Sequence, residues 1–118
     1  MKKTWMVVVS AVLLLALSAS LAAANKNAAV SRSLSGSVTD RGGTPVGNAI
    51  VYLKDTKTLA VKSYITGNDG AFRFPALSTN VDYEVYAQID GHRSDTKTLS
   101  SFDSRPQAII NLKIDTSR

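Results

Sequence analysis

Residues 34–53 read LSGSVTDRGGTPVGNAIVYL and hold two alternating stretches on either side of a turn. Leu34 and Val38 recur at even spacing before the turn, and Val51 and Leu53 repeat that spacing after it. The Gly, Pro and Asn residues between them are typical of turns. A period of two is typical of a β-strand that buries one face, and such strands suit antiparallel sheets. The stretch therefore predicts a strand, a turn and a second strand.

The same pattern continues from this stretch to the end of the chain. Asn68-Asp69-Gly70 and Asp90-Gly91 are turn signals, and Pro75 ends another run. The further strand-like runs cover residues 59–66, 71–74, 82–89, 93–99 and 108–115. Seven short strands with no window of helical period predict an all-β domain, either a β-sandwich or a small barrel, built from antiparallel sheets.

The inward phase of these strands predicts one hydrophobic core. Its predicted members are Leu34, Val38, Val51, Leu53, Val61, Phe72, Phe74, Leu77, Tyr83, Val85, Ile89, Ile110 and Leu112. The chain has no cysteine, so no disulfide supports this core. Packing and strand pairing therefore have to hold the fold.

The N-terminal 24 residues have the three parts of an export signal. Lys2 and Lys3 form a short positive start, residues 5–17 are apolar except for one serine, and Ala22-Ala23-Ala24 offers a small-x-small cleavage site. The apolar run is shorter than the roughly 20 residues that a membrane-spanning helix needs. We therefore predict a signal peptide cleaved after Ala24, with cleavage after Ala22 or Ala23 as alternatives. The protein is expected to be exported, either periplasmic or extracellular.

The chain that follows the signal is predicted to hold a flexible lead-in over residues 25–32 and one domain over residues 33–115, with no membrane span. The formal net charge is +5, from 14 Lys and Arg against 9 Asp and Glu, and two of the positive charges belong to the predicted signal. The remaining basic residues are scattered. A nucleic-acid-binding protein clusters them on one face, so we predict no nucleic-acid partner.

Several landmarks, taken in order, resemble the carboxypeptidase regulatory-like domain family. Ser35–Asp40 and Gly43–Leu53 are similar to its opening, which reads G-x-V-x-D and then G-x-P-(L/V)-x-(G/N)-A-x-V-x-L. Gly70–Phe74, Tyr83–Val85 and Gly91-His92 resemble later landmarks. The resemblance covers nearly all of the predicted domain. It implies a transthyretin-like (prealbumin-like), carbohydrate-binding-like fold, a seven-stranded antiparallel Greek-key β-sandwich.

The family resemblance implies no peptidase activity. In metallocarboxypeptidases this domain is an accessory to a catalytic domain, and in bacteria similar domains are appended to larger surface proteins or stand alone. A zinc peptidase site needs two or three His or Glu ligands, and the chain has only His92 and Glu84. Enzymes on related folds, the hydroxyisourate hydrolases and intradiol dioxygenases, need at least two histidines. We predict that the protein is not an enzyme, with no catalytic residue, cofactor or metal site.

Exposed tyrosines are the candidates for a contact surface. By strand phase, Tyr52, Tyr64 and Tyr86 point outward. In Greek-key sandwiches the second and fifth strands commonly lie side by side, which predicts that Tyr52 and Tyr86 meet across the ladder. With the polar residues of the same phase, the candidate binding face is Tyr52, Tyr86, Lys54, Glu84 and Gln88. We predict a non-catalytic binding or structural module of the cell envelope, whose partner is an envelope protein or a glycan. The alternative is a carbohydrate-binding module that uses its exposed tyrosines.

Overall fold

The computed structural model describes residues 31–117, so the predicted signal peptide and residues 25–30 of the predicted lead-in lie outside the described residues. In the described part, no helix has the length and apolar character needed to cross a membrane. The strands are β1 (Arg32–Thr39), β2 (Ile50–Asp55), β3 (Val61–Ile65), β4 (Ala71–Leu77), β5 (Tyr83–Ile89), β6 (His92–Arg93), β7 (Lys97–Leu99), β8 (Gln107–Ile109) and β9 (Leu112–Lys113).

The strands form two sheets. In the first sheet β1 lies between β4 and β8, and β9 also pairs with β1. The second sheet has the order β3-β2-β5-β6, and β7 also pairs with β5. The inward side chains of both sheets form a single buried cluster. The predicted all-β sandwich is therefore confirmed, while the Greek-key order that the resemblance implies stays a prediction.

Two of the predicted strands are each interrupted. The predicted run 93–99 becomes β6 and β7, which both pair with β5, and Ser94 lies between them. The Ser94 hydroxyl accepts a hydrogen bond of 2.8 Å from the backbone N–H of Ala87, in the place of a backbone carbonyl. The run near the C-terminus becomes β8 and β9, where the Asn111 side-chain oxygen accepts the Ser37 N–H at 3.1 Å. At each break a side-chain oxygen thus accepts one hydrogen bond, while backbone hydrogen bonds from the Ser94 N–H to the Ala87 carbonyl and from the Ile110 N–H to the Ser35 carbonyl remain, both at 2.9 Å.

The first sheet is not wholly antiparallel, which corrects the expectation from the sequence. Both β8 and β9 run parallel to β1, with Ser33 opposite Gln107 and Val38 opposite Leu112. The chain crosses from the second sheet to the first after β7 and reaches β8 beside the start of β1, where the Ser33 N–H donates to the Pro106 carbonyl at 2.9 Å. Alternation in a sequence shows which face of a strand is buried, and it carries no signal about the direction of the neighbouring strand.

The core differs from its predicted membership at a few positions. The buried apolar residues are Leu34, Val38, Ala49, Val51, Leu53, Phe72, Phe74, Leu77, Tyr83, Val85, Ala87, Leu99, Ala108, Leu112 and Ile114. Ile89 and Ile110 are only partly buried against this cluster. The prediction for Val61 is wrong, because Val61 lies opposite Lys54 on the outer side of the second sheet and is 57% exposed.

One charged side chain is buried at the end of the sandwich where β1 begins. Arg32 is 3% exposed, although the sequence assigned it to the flexible lead-in. Its Nε donates to the Ser78 carbonyl at 3.0 Å, and Nη2 donates to the Val81 carbonyl at 2.7 Å. Nη1 donates to the carbonyls of Ser100 and Asp103, at 2.7 Å and 3.1 Å. Backbone carbonyl oxygens therefore replace the water that the buried guanidinium loses.

These carbonyls belong to the two loops that carry the chain between the sheets at this end. Residues 78–82 lead from β4 to β5, and residues 100–106 lead from β7 to β8. The second loop is also held by Arg105, whose Nη2 lies 2.6 Å from a carboxylate oxygen of Asp103. Hydrogen bonds from the Arg105 side chain lower the pKa of Asp103 to about 2. Arg32 on β1 thus binds both of the loops that cross between the sheets at this end.

The aromatic centre of the core yields a stability prediction. Phe72 and Phe74 are 2% and 4% exposed, and their ring centroids are 6.1 Å apart. We expect Phe72→Ala or Phe74→Ala to lower the free energy of unfolding by about 3–5 kcal/mol, because each change leaves a cavity. Val61→Ala is the matched control, since this side chain lies on the outer surface and its loss is expected to cost about 0.5 kcal/mol or less. Urea denaturation, followed by circular dichroism, measures the free energy of unfolding of each variant. Equal midpoints for all three variants and the parent would contradict this core.

Candidate functional site

The outer side of the second sheet carries a stacked pair of tyrosines. Tyr52 in β2 lies directly opposite Tyr86 in β5. Their ring centroids are 5.1 Å apart and the ring planes are 30° from parallel. Both rings are half-buried, each partly covered by the other. The strand phase of the sequence places this pair correctly, whereas binding at this face stays a prediction.

An arginine that the sequence analysis did not select completes the pair. The Arg93 guanidinium carbon lies 3.9 Å from the centroid of the Tyr86 ring, a cation–π contact. Arg93 lies on β6, and β6 and β2 flank β5 on opposite sides. Tyr86 is therefore held between Arg93 and Tyr52. The signal in the sequence is weak, because Arg93 stands at the start of a polar edge segment just after the Asp90-Gly91 turn.

The polar residues predicted for this face lie around the tyrosine pair. Lys54 is opposite Glu84 at one end of the β2–β5 ladder, and Gln88 is opposite Ile50 at the other end. Gln88 is exposed, while Lys54 and Glu84 are half-buried. All members of the candidate face are therefore brought together on one side of the sheet.

The face extends as an apolar surface toward the edge of the sheet. On β3, Ser63 is opposite Tyr52, and Ile65 is opposite Ile50. Val61 and Ile65 are 57% and 65% exposed on this side. We use the name outer tyrosine face for the whole surface, which consists of Ile50, Tyr52, Lys54, Val61, Ser63, Ile65, Glu84, Tyr86, Gln88 and Arg93.

Tyr64 does not belong to this face. Its side chain is exposed, as predicted, but it lies on the opposite side of the second sheet, so its predicted strand phase is wrong. Tyr64 is opposite Val51, whose side chain is in the core, and its ring meets the Phe74 ring edge-on at 6.1 Å. The reason is the register that the hairpin loop sets, which pairs Lys54 with Val61. The Asp55 carboxylate fixes this loop by accepting the backbone N–H of Lys57, at 2.8 Å, and that of Thr58. Its pKa is lowered chiefly by the hydrogen bond from Thr58.

A cleft lined by polar side chains lies elsewhere in the described region. It has a volume of about 340 Å³ between β1, β7 and β9 and is lined by Ser37, Thr39, Asp95, Lys97, Asn111 and Lys113. The Lys97 ammonium group donates to the Asn111 carbonyl at 2.7 Å. One carboxylate and no histidine line this cleft, and His92 lies on β6 instead. Within residues 31–117, no group of three or more His, Cys, Asp or Glu side chains is placed to hold a metal ion.

Comparison with known proteins identifies the domain and supports its fold. The sequence model of the carboxypeptidase regulatory-like domain matches residues 33–113, well over half of the chain. No curated protein sequence matches this chain.

Solved structures share the fold at low sequence identity. The major pilin subunit of Bacillus cereus is 10% identical with a TM-score of 0.57, over 74% of this chain and 30% of the pilin. The catechol 1,2-dioxygenase of an Acinetobacter species is 14% identical with a TM-score of 0.54, over 73% of this chain and 52% of the enzyme. The pilus 2b backbone protein of group B streptococcus is 15% identical with a TM-score of 0.51, over 74% of this chain and 42% of that protein. The chain thus spans about half or less of each, and these likenesses show the fold alone.

Proposed function

Because the chain belongs to the carboxypeptidase regulatory-like domain family, we propose that it is an exported, non-catalytic module of the cell envelope that binds a protein partner through the outer tyrosine face. The observation that carries the proposal is the Tyr52–Tyr86 pair with Arg93 on its open side. The likeness of the fold to two pilus proteins supports a place at the cell envelope.

The composition of the outer tyrosine face suits a protein partner. Tyrosine and arginine are the residue types that most often carry binding energy at protein interfaces. The Tyr86 ring is already fixed by Tyr52 and Arg93, so little side-chain freedom is lost when a partner covers it. Val61 and Ile65 add exposed apolar area beside the pair, and charged residues lie at its margin. An apolar centre with a polar rim is the usual anatomy of such an interface.

A glycan is the second candidate, and one feature favours it. A sugar ring stacks on a free aromatic face, and both faces of Tyr86 are covered, by Tyr52 on one side and Arg93 on the other. Tyr52 has the small residue Ser63 opposite it on its second side. The Tyr52 ring is therefore the one position of the pair where a sugar can stack. A single platform of this kind supports weaker binding than a protein contact that covers the whole face.

The binding role is tested with the double variant Tyr52→Ala, Tyr86→Ala. Affinity for partners captured from the native envelope is expected to fall roughly 30-fold or more, because a hot-spot residue contributes about 2 kcal/mol. Tyr64→Ala is the matched control, because this tyrosine lies on the opposite side of the sheet and its removal is expected to leave the partners bound. Circular dichroism establishes that each variant is folded.

Three outcomes separate the candidate functions. Loss of protein partners in the double variant alone supports the proposal. Loss of binding to a glycan array, with protein capture unchanged, supports the carbohydrate alternative. If the folded double variant retains every interaction of the parent protein, the face is structural and the proposal is wrong.

Export rests on the N-terminal pattern of two lysines, a short apolar run and three alanines. We expect mass spectrometry of protein from cells that express the full chain to find an N-terminus near Asn25, in the periplasm or the medium. Protein that keeps Met1 and stays in the membrane fraction would contradict export with cleavage.

A further inference from the structure

The β3 strand forms an unprotected edge of the second sheet. It pairs with β2, and in the described part of the chain no strand pairs with its other side. All five of its residues are exposed, including Val61, Tyr64 and Ile65. Natural edge strands are commonly shielded by charged side chains, a proline or a bulge, since an open edge recruits another strand. Here Lys62 is the single charged residue and the ladder to β2 is regular.

The backbone groups that face the free edge follow from the hydrogen bonds to β2. At one end of the hairpin the Asp55 N–H donates to the Ala60 carbonyl, and at the other the Thr66 N–H donates to the Ala49 carbonyl, both at 2.9 Å. Hydrogen-bonded pairs alternate along an antiparallel ladder, so Lys62 and Tyr64 direct their backbone groups toward β2.

The remaining three residues, Val61, Ser63 and Ile65, therefore present their N–H and C=O groups to the free edge. These groups lie at alternate positions, centred on Ser63. That arrangement is what a second strand requires for pairing in the antiparallel direction.

We propose that β3 pairs with β3 of a second copy of this chain, in antiparallel direction, with the two-fold axis at Ser63. In that register Ser63 meets Ser63 of the second copy, and Val61 meets Ile65 of the second copy. Val61, Ser63 and Ile65 all have free backbone groups. Each of the three residue pairs can therefore form two hydrogen bonds, up to six between the strands. A two-fold contact must be self-complementary in this way.

The side chains of β3 are complementary to themselves in the same register. Val61 and Ile65 of the second copy form apolar pairs on the outer side. On the other side of the sheet Lys62 meets Tyr64 of the second copy, an ammonium group beside an aromatic ring. A register centred on Lys62 instead places two ammonium groups opposite each other, which is unfavourable, and directs backbone groups that β2 already uses toward the new strand.

The proposed pairing joins the two outer tyrosine faces. Residues opposite each other in an antiparallel ladder point to the same side of the sheet, so Tyr52 and Tyr86 of both copies lie on one continuous surface. The dimer thus presents two outer tyrosine faces side by side. The pairing does not depend on the proposed function, because it uses the free backbone groups at the edge of β3, whereas that function uses side chains of the outer tyrosine face.

A single introduced cysteine tests the register, because the chain has none of its own. Ser63→Cys places two thiols opposite each other at a Cα separation of about 5.5 Å, within the range that a disulfide spans. Lys62→Cys is the matched control on the same strand, and its two copies lie two residues apart along the ladder, about 8 Å and beyond that range. In a glutathione buffer, Ser63→Cys is expected to form a disulfide dimer at least ten times faster than Lys62→Cys. Equal rates, or no dimer from either variant, would overturn the proposal.

Proline at the same position tests the pairing without a covalent bond. The Ser63 N–H points away from β2, so Ser63→Pro removes a hydrogen bond to the second copy and none within the hairpin. In sedimentation velocity at about 100–500 μM, the parent protein and Ser63→Thr are expected to contain dimer, and Ser63→Pro to be monomeric with an unchanged circular dichroism spectrum. A monomeric parent, or a folded Ser63→Pro that still forms dimers, would contradict the proposal. If Ser63→Pro does not fold, the comparison of disulfide formation in Ser63→Cys and Lys62→Cys decides.

Discussion

A single buried guanidinium joins the first strand of the sandwich to both loops that cross between its sheets at one end. Arg32 donates to four carbonyl oxygens, two in the loop after β4 and two in the loop after β7. The guanidinium carbon of Arg32 also lies 5.9 Å from the centre of the Tyr83 ring. The Tyr83 hydroxyl accepts a hydrogen bond from the Ser78 N–H at 2.9 Å. Arginine suits this place because its planar group directs five donors in fixed directions. In a domain without disulfides, these hydrogen bonds connect β1 to segments that are distant in the sequence.

The Arg32 contacts lie at one end of the sandwich, away from the outer side of the second sheet. The side chains of β2 and β5 divide cleanly between a buried side, with Val51, Leu53 and Val85, and an outer side that carries Tyr52 and Tyr86. Tyr52 and Tyr86 are not part of the buried cluster, so their aromatic character calls for another explanation. Either they stabilise the sheet as a cross-strand pair or they meet a partner, and the exposed apolar residues of β3 beside them favour a partner.

The parts of the fold that the sequence predicts are those where burial alternates strongly. In the central strands β2 and β5, buried and outer residues alternate over residues 50–54 and 83–88, so the phase of Tyr52 and Tyr86 is readable. Every residue of the edge strand β3 is exposed, so its hydrophobicity carries no phase, and the predictions for Val61 and Tyr64 both fail there. Arg32 is missed because a charged residue next to a polar segment is normally exposed. Arg93 is missed because its contact with Tyr86 depends on the pairing of β6 with β5, which no local pattern announces.

The buried arginine is the most direct test of how this domain holds together, and the free energy of unfolding of Arg32→Lys measures it. Lysine keeps the charge but cannot reach four carbonyls at once, so we expect a loss of about 2–4 kcal/mol. The control is Arg73→Lys on β4, whose side chain is exposed and whose replacement is expected to change the value by about 0.5 kcal/mol or less. Equal stability of Arg32→Lys, Arg73→Lys and the parent protein would contradict the account.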